Sequence, residues 1–164
     1  MKTIIYITIL FFFSSCGFYS FTGSSISPEV ESFSIKHFSN NATTVNASLS
    51  SVFTEKLKDY FTTQTNLKQN QTEGDLSFEG EITSYNIKPI AIKANETARQ
   101  NRLTIKVKVK FVNKFDEKLN FNTTFSRYKD FPAEEDLNSV EEIYMEQICN
   151  EIVEDIFNKS VVNW

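Results

Sequence analysis

The sequence predicts an α+β two-layer sandwich, with two helices packed on one face of a mainly antiparallel four-stranded sheet. Three observations carry that expectation. Apolar residues recur at three- and four-residue steps in two stretches, residues 49–61 and 140–157, which is the period of a helix with one buried face. Elsewhere apolar and polar residues alternate with a strand's period of two. The order strand, helix, three strands, helix then lets both helices lie on the same side of the sheet. A chain of 164 residues with 16 phenylalanines has enough apolar material for one domain with a real core.

The start of the chain is a different kind of segment. Lys2 supplies a positive charge, residues 4–13 are an apolar run, and the small pair Ser14-Ser15 leads directly into Cys16. The run is shorter than the ~20 apolar residues a bilayer-spanning helix needs, and small residues before a cut site mark a removed signal. A cysteine at that point reads as a lipidation site, with acyl groups on the Cys16 thiol and on its freed amine; two or more chains hold a protein stably on a membrane. This divides the chain into a lipoprotein signal peptide (1–15), a lipidated tether (16–28) and a single α+β domain (29–164). Gly17, where lipoproteins kept on the inner membrane commonly carry Asp, points to the outer membrane, and with no acidic cluster after Cys16 of the kind that surface-exported lipoproteins often carry, the periplasmic side is the default. In the tether, Phe18, Tyr19 and Phe21 are candidate interface residues, either folded back on the domain or set at a lipid or partner surface.

The elements follow in order. In residues 31–38, Phe33, Ile35 and His37 share one parity and Ser32, Ser34, Lys36 and Phe38 the other, as in a half-buried strand. His37 is the sole histidine, with no neighbouring metal-ligand spacing, and reads as a packed or surface side chain. Asn40-Asn41 marks a turn. Leu49, Val52, Phe53, Leu57, Tyr60 and Phe61 define the first helix, capped by Asn46 or Ser48. Leu76, Phe78, Gly80 and Ile82 begin a strand whose apolar parity slips to Tyr85 and Ile87, so a β-bulge is expected near Thr83-Ser84. Glu79 and Glu81 fall on its solvent side. After a long connection, Leu103, Ile105, Val107, Val109 and Phe111 alternate with Thr104, Lys106, Lys108 and Lys110, giving a strand with a basic outer face. Leu119, Phe121, Thr123 and Phe125 open its partner, which ends at Phe131-Pro132. Ser139 to Glu142 has capping-box spacing. Val140, Ile143, Tyr144, Ile148, Ile152 and Ile156 then form the stripe of the last helix, widened by Met145, Cys149, Val153 and Phe157. Cys149 reads as a small buried core residue without a disulfide partner.

Chemistry is sparse. A net charge of −4 argues against sequence-independent nucleic-acid binding. The chain has no glycine-rich phosphate loop, Ser/His/Asp set, CxxC or HExxH, so no enzyme, cofactor or metal is expected. The one feature above background is the basic stripe Arg102, Lys106, Lys108 and Lys110. Alternate side chains on a strand project the same way about 7 Å apart, so the stripe can present several cations to an anionic headgroup. The plainer reading is a solvated lysine face that also discourages edge aggregation.

Several runs together carry a family resemblance. Cys16-Gly17-Phe18-Tyr19-Ser20-Phe21-Thr22-Gly23, Phe78-Glu79-Gly80-Glu81-Ile82, Asn95-Glu96-Thr97, Asn101-Arg102-Leu103-Thr104, Phe125-Ser126-Arg127-Tyr128 and Glu154-Asp155-Ile156-Phe157-Asn158-Lys159 resemble, in order and spacing, the lipopolysaccharide-assembly lipoprotein family LptE. The resemblance implies a non-catalytic outer-membrane lipoprotein that plugs and assists an LptD-like β-barrel in lipopolysaccharide transport. It makes Arg102, Lys106, Lys108 and Lys110 candidate lipopolysaccharide-binding residues, and it implies no cofactor and no nucleic acid. The alternative from another class is a periplasmic lipoprotein that binds and regulates a different envelope or cell-wall assembly complex.

Overall fold

The computed structural model describes residues 26–44, 46–90 and 99–162. The signal segment, Cys16, and the tether aromatics Phe18, Tyr19 and Phe21 lie outside the described residues. Within them the elements are β1 (Ser32–Ile35), β2 (Ser39–Asn40), α1 (Leu49–Gln64), β3 (Lys68–Gln69), β4 (Leu76–Ile90), β5 (Gln100–Asn113), a 3-10 turn (Glu117–Leu119), β6 (Phe121–Pro132) and α2 (Leu137–Val161).

The two-layer α+β architecture holds, and the sheet corrects the expectation of four mainly antiparallel strands. It has six strands in the order β3-β1-β4-β5-β6, with β2 beside β4. Three long strands, β4, β5 and β6, are antiparallel. Along one edge β1 runs parallel to both β3 and β4, and β2 runs parallel to β4. The parallel pairing follows from α1, which carries the chain from β1 back across the sheet before β4 begins. Two-residue strands such as β2 and β3 are too short to show a period of two, which is why the sequence pattern passes over them.

The bulge falls where the parity slips: Ile82 faces Val107 and Ser84 faces Lys106, leaving Thr83 as the extra residue. Its effect is to keep Ile82 and Tyr85 on the same, buried face. The β5–β6 register runs unbroken from Phe111 opposite Phe121 to Gln100 opposite Pro132. Leu119 lies in the 3-10 turn before β6 rather than in the strand.

The inner face of the sheet and the two helices share one core. Leu103, Ile105, Val107, Val109 and Phe111 of β5 are fully buried, each such side chain stabilising by about 1.5–3 kcal/mol. Rings link the layers: Phe61 of α1 lies 5.5 Å from Phe33, 4.7 Å from Phe78 and 5.2 Å from Phe157, and Phe111 lies 4.8 Å from Phe78 and 5.1 Å from Phe121, all between centroids. Cys149 is buried among them and its thiol is pushed up to about 12 by burial, which leaves it inert.

Three local readings change. The alternation through residues 31–38 breaks after Ile35, so Phe38 turns inward and His37 outward. The Phe38 amide donates to Thr54 Oγ1 of α1 at 3.1 Å, and its ring occupies space that only Gly80 leaves open. A Cβ at Gly80 would lie 2.6 Å from that ring and 2.0 Å from the Lys108 carbonyl oxygen. At the last helix, Ser139 is no cap: α2 begins at Leu137, and the Ser139 amide and hydroxyl both donate to the Asp136 carbonyl. Glu141 accepts from the Tyr85 hydroxyl and from Asn46 Nδ2, tying α2 to β4 and to the start of α1. Asn46 rather than Ser48 caps α1, its Oδ1 accepting from the amides of Ser48 and Leu49. Ile143, assigned to the buried stripe, is 55% exposed.

Candidate functional site

With both helices on one side, no described element covers the opposite face of β4, β5 and β6. Strand alternation places on it Glu79, Glu81, Ser84, Asn86 and Lys88 of β4, Arg102, Thr104, Lys106, Lys108 and Lys110 of β5, and Asn122, Thr124, Ser126, Tyr128 and Asp130 of β6. Lys36 joins them from the chain after β1 through its ion pair with Glu79. This face therefore carries six basic side chains against three carboxylates, on a chain whose net charge is −4. The opposite balance sits on α2, which bears Glu141, Glu142, Glu146, Glu151, Glu154 and Asp155 against Lys159.

The four residues of the predicted stripe do not act alike. Arg102 is fixed: its guanidinium makes a two-point ion pair with Asp130, at 2.6 and 2.8 Å, and lies 3.7 Å from the centre of the Tyr128 ring. That hydrogen bond raises the Arg102 pKa and lowers that of Asp130. Lys110 is likewise committed, donating to Glu79 at 2.7 Å while Lys36 reaches the other Glu79 oxygen at 2.8 Å. Hydrogen bonds from Lys110 first and Lys36 second hold the Glu79 carboxyl down at about 2. Among the described residues Lys106 and Lys108 make no ion pair. They stand exposed in the middle of the face, Lys106 opposite Ser84 and Ser126, Lys108 opposite Glu81 and Thr124. Glu81 accepts from Asn41 Nδ2 at 2.6 Å.

Two shallow troughs run along this face. One, of ≈ 310 Å³, is lined by Ser84, Asn86, Lys88, Pro89, Ile90, Arg102, Thr104 and Lys106. The other, of ≈ 390 Å³, is lined by Lys36, His37, Ser39, Glu79, Gly80, Glu81, Lys108, Lys110 and Asn122. A face of this shape, with cations spaced along a rigid strand and hydroxyl and amide side chains between them, can hold an extended anion without enclosing it. Sequence reading missed Lys36, Lys88 and Tyr128 as members. Lys88 was legible once the parity slip at Thr83 is carried through the strand, which puts it across from Arg102. Tyr128 was legible from the same alternation that gave the stripe, continued into β6.

The remaining cations of β6 point to the other side. Arg127 makes a two-point pair with Asp155, both contacts 2.6 Å, and Lys129 pairs with Glu151 at 2.5 Å, so this edge strand is clasped to α2. His37 Nε2 meets the Ser50 hydroxyl at 2.9 Å and faces solvent, as a surface side chain. Among the described residues no cluster of His, Cys, Asp or Glu could hold a metal ion, and no helix is long and apolar enough to cross a membrane.

The fold and face together define a small α+β sandwich with one bare, basic sheet surface, a shape made for contact over an area. Comparison with known proteins places it. The model of the lipopolysaccharide-assembly family LptE matches residues 30–160, and the chain belongs to that family. Among solved structures it is similar to a minor lipoprotein from Acinetobacter baumannii, with a TM-score of 0.52 at 11% identity over 80% of this chain and 92% of that one. It is also similar to the hypothetical protein CT253 from Chlamydia trachomatis, with a TM-score of 0.52 at 10% identity over 82% of this chain and 99% of that one. At these identities the likeness is one of fold. A search of curated proteins finds no match.

Proposed function

We propose that the protein is an outer-membrane lipoprotein, acylated at Cys16 on the periplasmic side, that plugs and assists an LptD-like β-barrel in lipopolysaccharide transport. It catalyses nothing in this reading. The family match across residues 30–160 is the observation that carries it. The bare sheet face supplies the contact chemistry: Lys106 and Lys108 meet phosphates or acidic sugars of lipopolysaccharide, while Arg102 and Lys110, held by Asp130 and Glu79, frame them. Arg102 presents its guanidinium in a fixed plane, which suits a two-point contact with a phosphate should Asp130 share it. An exposed face suits a carrier step better than a deep pocket would, because a lipid held over a surface can be passed on.

Depleting the protein from its native cell tests the role. The expected outcome is less correctly assembled barrel, less lipopolysaccharide at the cell surface and greater outer-membrane permeability to large antibiotics. Unchanged barrel assembly and lipopolysaccharide export after complete deletion would refute it and favour a partner in another envelope complex.

A further inference from the structure

The β5–β6 turn presents an aromatic ring to solvent by construction. Phe115 is 50% exposed, and the loop that carries it is stiff. Asn113 Oδ1 accepts from the amides of Phe115 at 2.9 Å and Asp116 at 3.2 Å. Asn120 Oδ1 accepts from the Asn113 amide at 2.7 Å, and Asp116 Oδ1 accepts from the Lys118 amide at 3.0 Å. With these amides bonded within the loop and the Lys114 amide donating to the Asp75 carbonyl at 3.0 Å, the backbone of the turn is held in place.

Beside the ring lies a cleft of ≈ 440 Å³ whose apolar lining is Ile26, Pro28, Leu76, Phe115, Leu119 and Val161. Ile26, the first described residue, forms part of the wall of this cleft. Nine residues lie between Cys16 and Ile26, a span of at most about 35 Å when fully extended. The strand leading away from the cleft, β4, has 15 residues and is roughly 50 Å long. Of the two ends of the domain, the one bearing Phe115 is therefore the one a lipid on Cys16 keeps near the membrane.

We propose that this end rests on the bilayer, with the Phe115 ring seated at the lipid interface and Ile26, Pro28 and Leu119 behind it; the inference rests on the reading of Cys16 as acylated. Phe, like Trp and Leu, serves on the apolar faces of elements that lie in the interface plane, buried about 5–10 Å at the boundary of headgroups and acyl chains. The charges choose the kind of surface. Glu29, Asp116 and Glu117 flank the ring together with the exposed Lys114 and Lys118, while the nearby Asp75 carboxylate is turned inward onto the Ser32 hydroxyl and the amides of Glu31 and Ser32. Three carboxylates against two ammoniums leave this rim close to neutral, without the basic cluster that draws a protein to an anionic surface, so the partner is a zwitterionic headgroup layer.

The test uses the full acylated chain with Phe115→Trp in a Trp164→Phe background, reconstituted in phosphatidylcholine–phosphatidylethanolamine vesicles with and without bromine-labelled acyl chains. The expected result is flotation with the vesicles, a shift of the tryptophan emission to shorter wavelength, and quenching by the brominated lipid. A companion Ile143→Trp variant, whose probe sits near the start of α2 at the far end, stays unquenched. Flotation without quenching at position 115 overturns the proposal, even with a shifted emission, because the ring is then covered by protein. Equal quenching at positions 115 and 143 also overturns it, since the domain then lies flat. Failure of the unmutated chain to float, with an unmodified Cys16 by mass spectrometry, rejects the lipoprotein reading itself and the proposal with it.

Discussion

Replacing Lys106 and Lys108 together with Ser separates the chemistry of the sheet face from its stability. Both side chains are exposed, and among the described residues neither makes an ion pair. Their strand neighbours Ile105, Val107 and Val109 keep the core untouched. Each substitution should therefore shift stability by no more than about 0.5 kcal/mol, and Ser is tolerated on the solvent side of a strand. If each ammonium makes one exposed contact with an anionic group, worth ~0.2–1 kcal/mol, the pair contributes about 0.5–2 kcal/mol, or roughly a 2- to 30-fold loss of affinity. The loss should be largest at low salt and fade near physiological ionic strength, where screening acts over about 8 Å. Binding of purified lipopolysaccharide at two salt concentrations, with thermal unfolding alongside, reads both quantities. The control is Lys114→Ser with Lys118→Ser in the β5–β6 turn, which changes the net charge equally off this face; among the described residues neither of these exposed side chains makes an ion pair. Equal losses in the two double variants would show that net charge alone matters, and an unchanged affinity at low salt would show that the face is merely solvated. Lys110→Ser is the wrong probe for this question, because it also strips Glu79 of a partner.

Two further outcomes follow from the geometry around that face. Gly80→Ala would place a methyl group 2.0 Å from the Lys108 carbonyl oxygen, a backbone atom that can yield only if β4 and β5 separate. A loss of ~3 kcal/mol or more is expected; denaturant unfolding checks it, and a variant within 1 kcal/mol of the parent would show that the strands part easily. Glu79 sets an acid limit. Its carboxyl is held at about 2 rather than the usual 4.5, so its contribution is complete above pH 4.5 and is lost as the pH falls from there towards 2. With the side chain 38% exposed, screening reduces that contribution to about 1 kcal/mol. Glu79→Gln should remove the corresponding fall in unfolding free energy between pH 5 and 2.5; an identical pH profile in the variant would place the titration elsewhere.

The parts of this protein legible in its sequence are those where one physical rule acts alone. The β5 strand is one, since burial on one side and water on the other leave a period of two from Leu103 to Phe111. The bulge at Thr83 is another, because a change of parity within one strand has a single geometric solution. Where two rules compete, the pattern misleads. The segment around His37 and Phe38 keeps a strand's alternation on paper, but the gap over Gly80 and the Thr54 hydroxyl draw Phe38 inward and reverse the parity. The capping-box spacing from Ser139 to Glu142 misleads as well, because α2 already begins at Leu137, ahead of Ser139, and the Ser139 hydroxyl donates to the Asp136 carbonyl. The same distinction governs the candidate site. Which side chains share the outer face follows from alternation, and the sequence supplies four of its cations correctly. Which of those cations remain available depends on cross-strand neighbours: Asp130 lies 28 residues from Arg102 and Glu79 lies 31 from Lys110. Only the register makes them adjacent, and with it a uniform basic stripe becomes two anchored cations flanking two that can still bind.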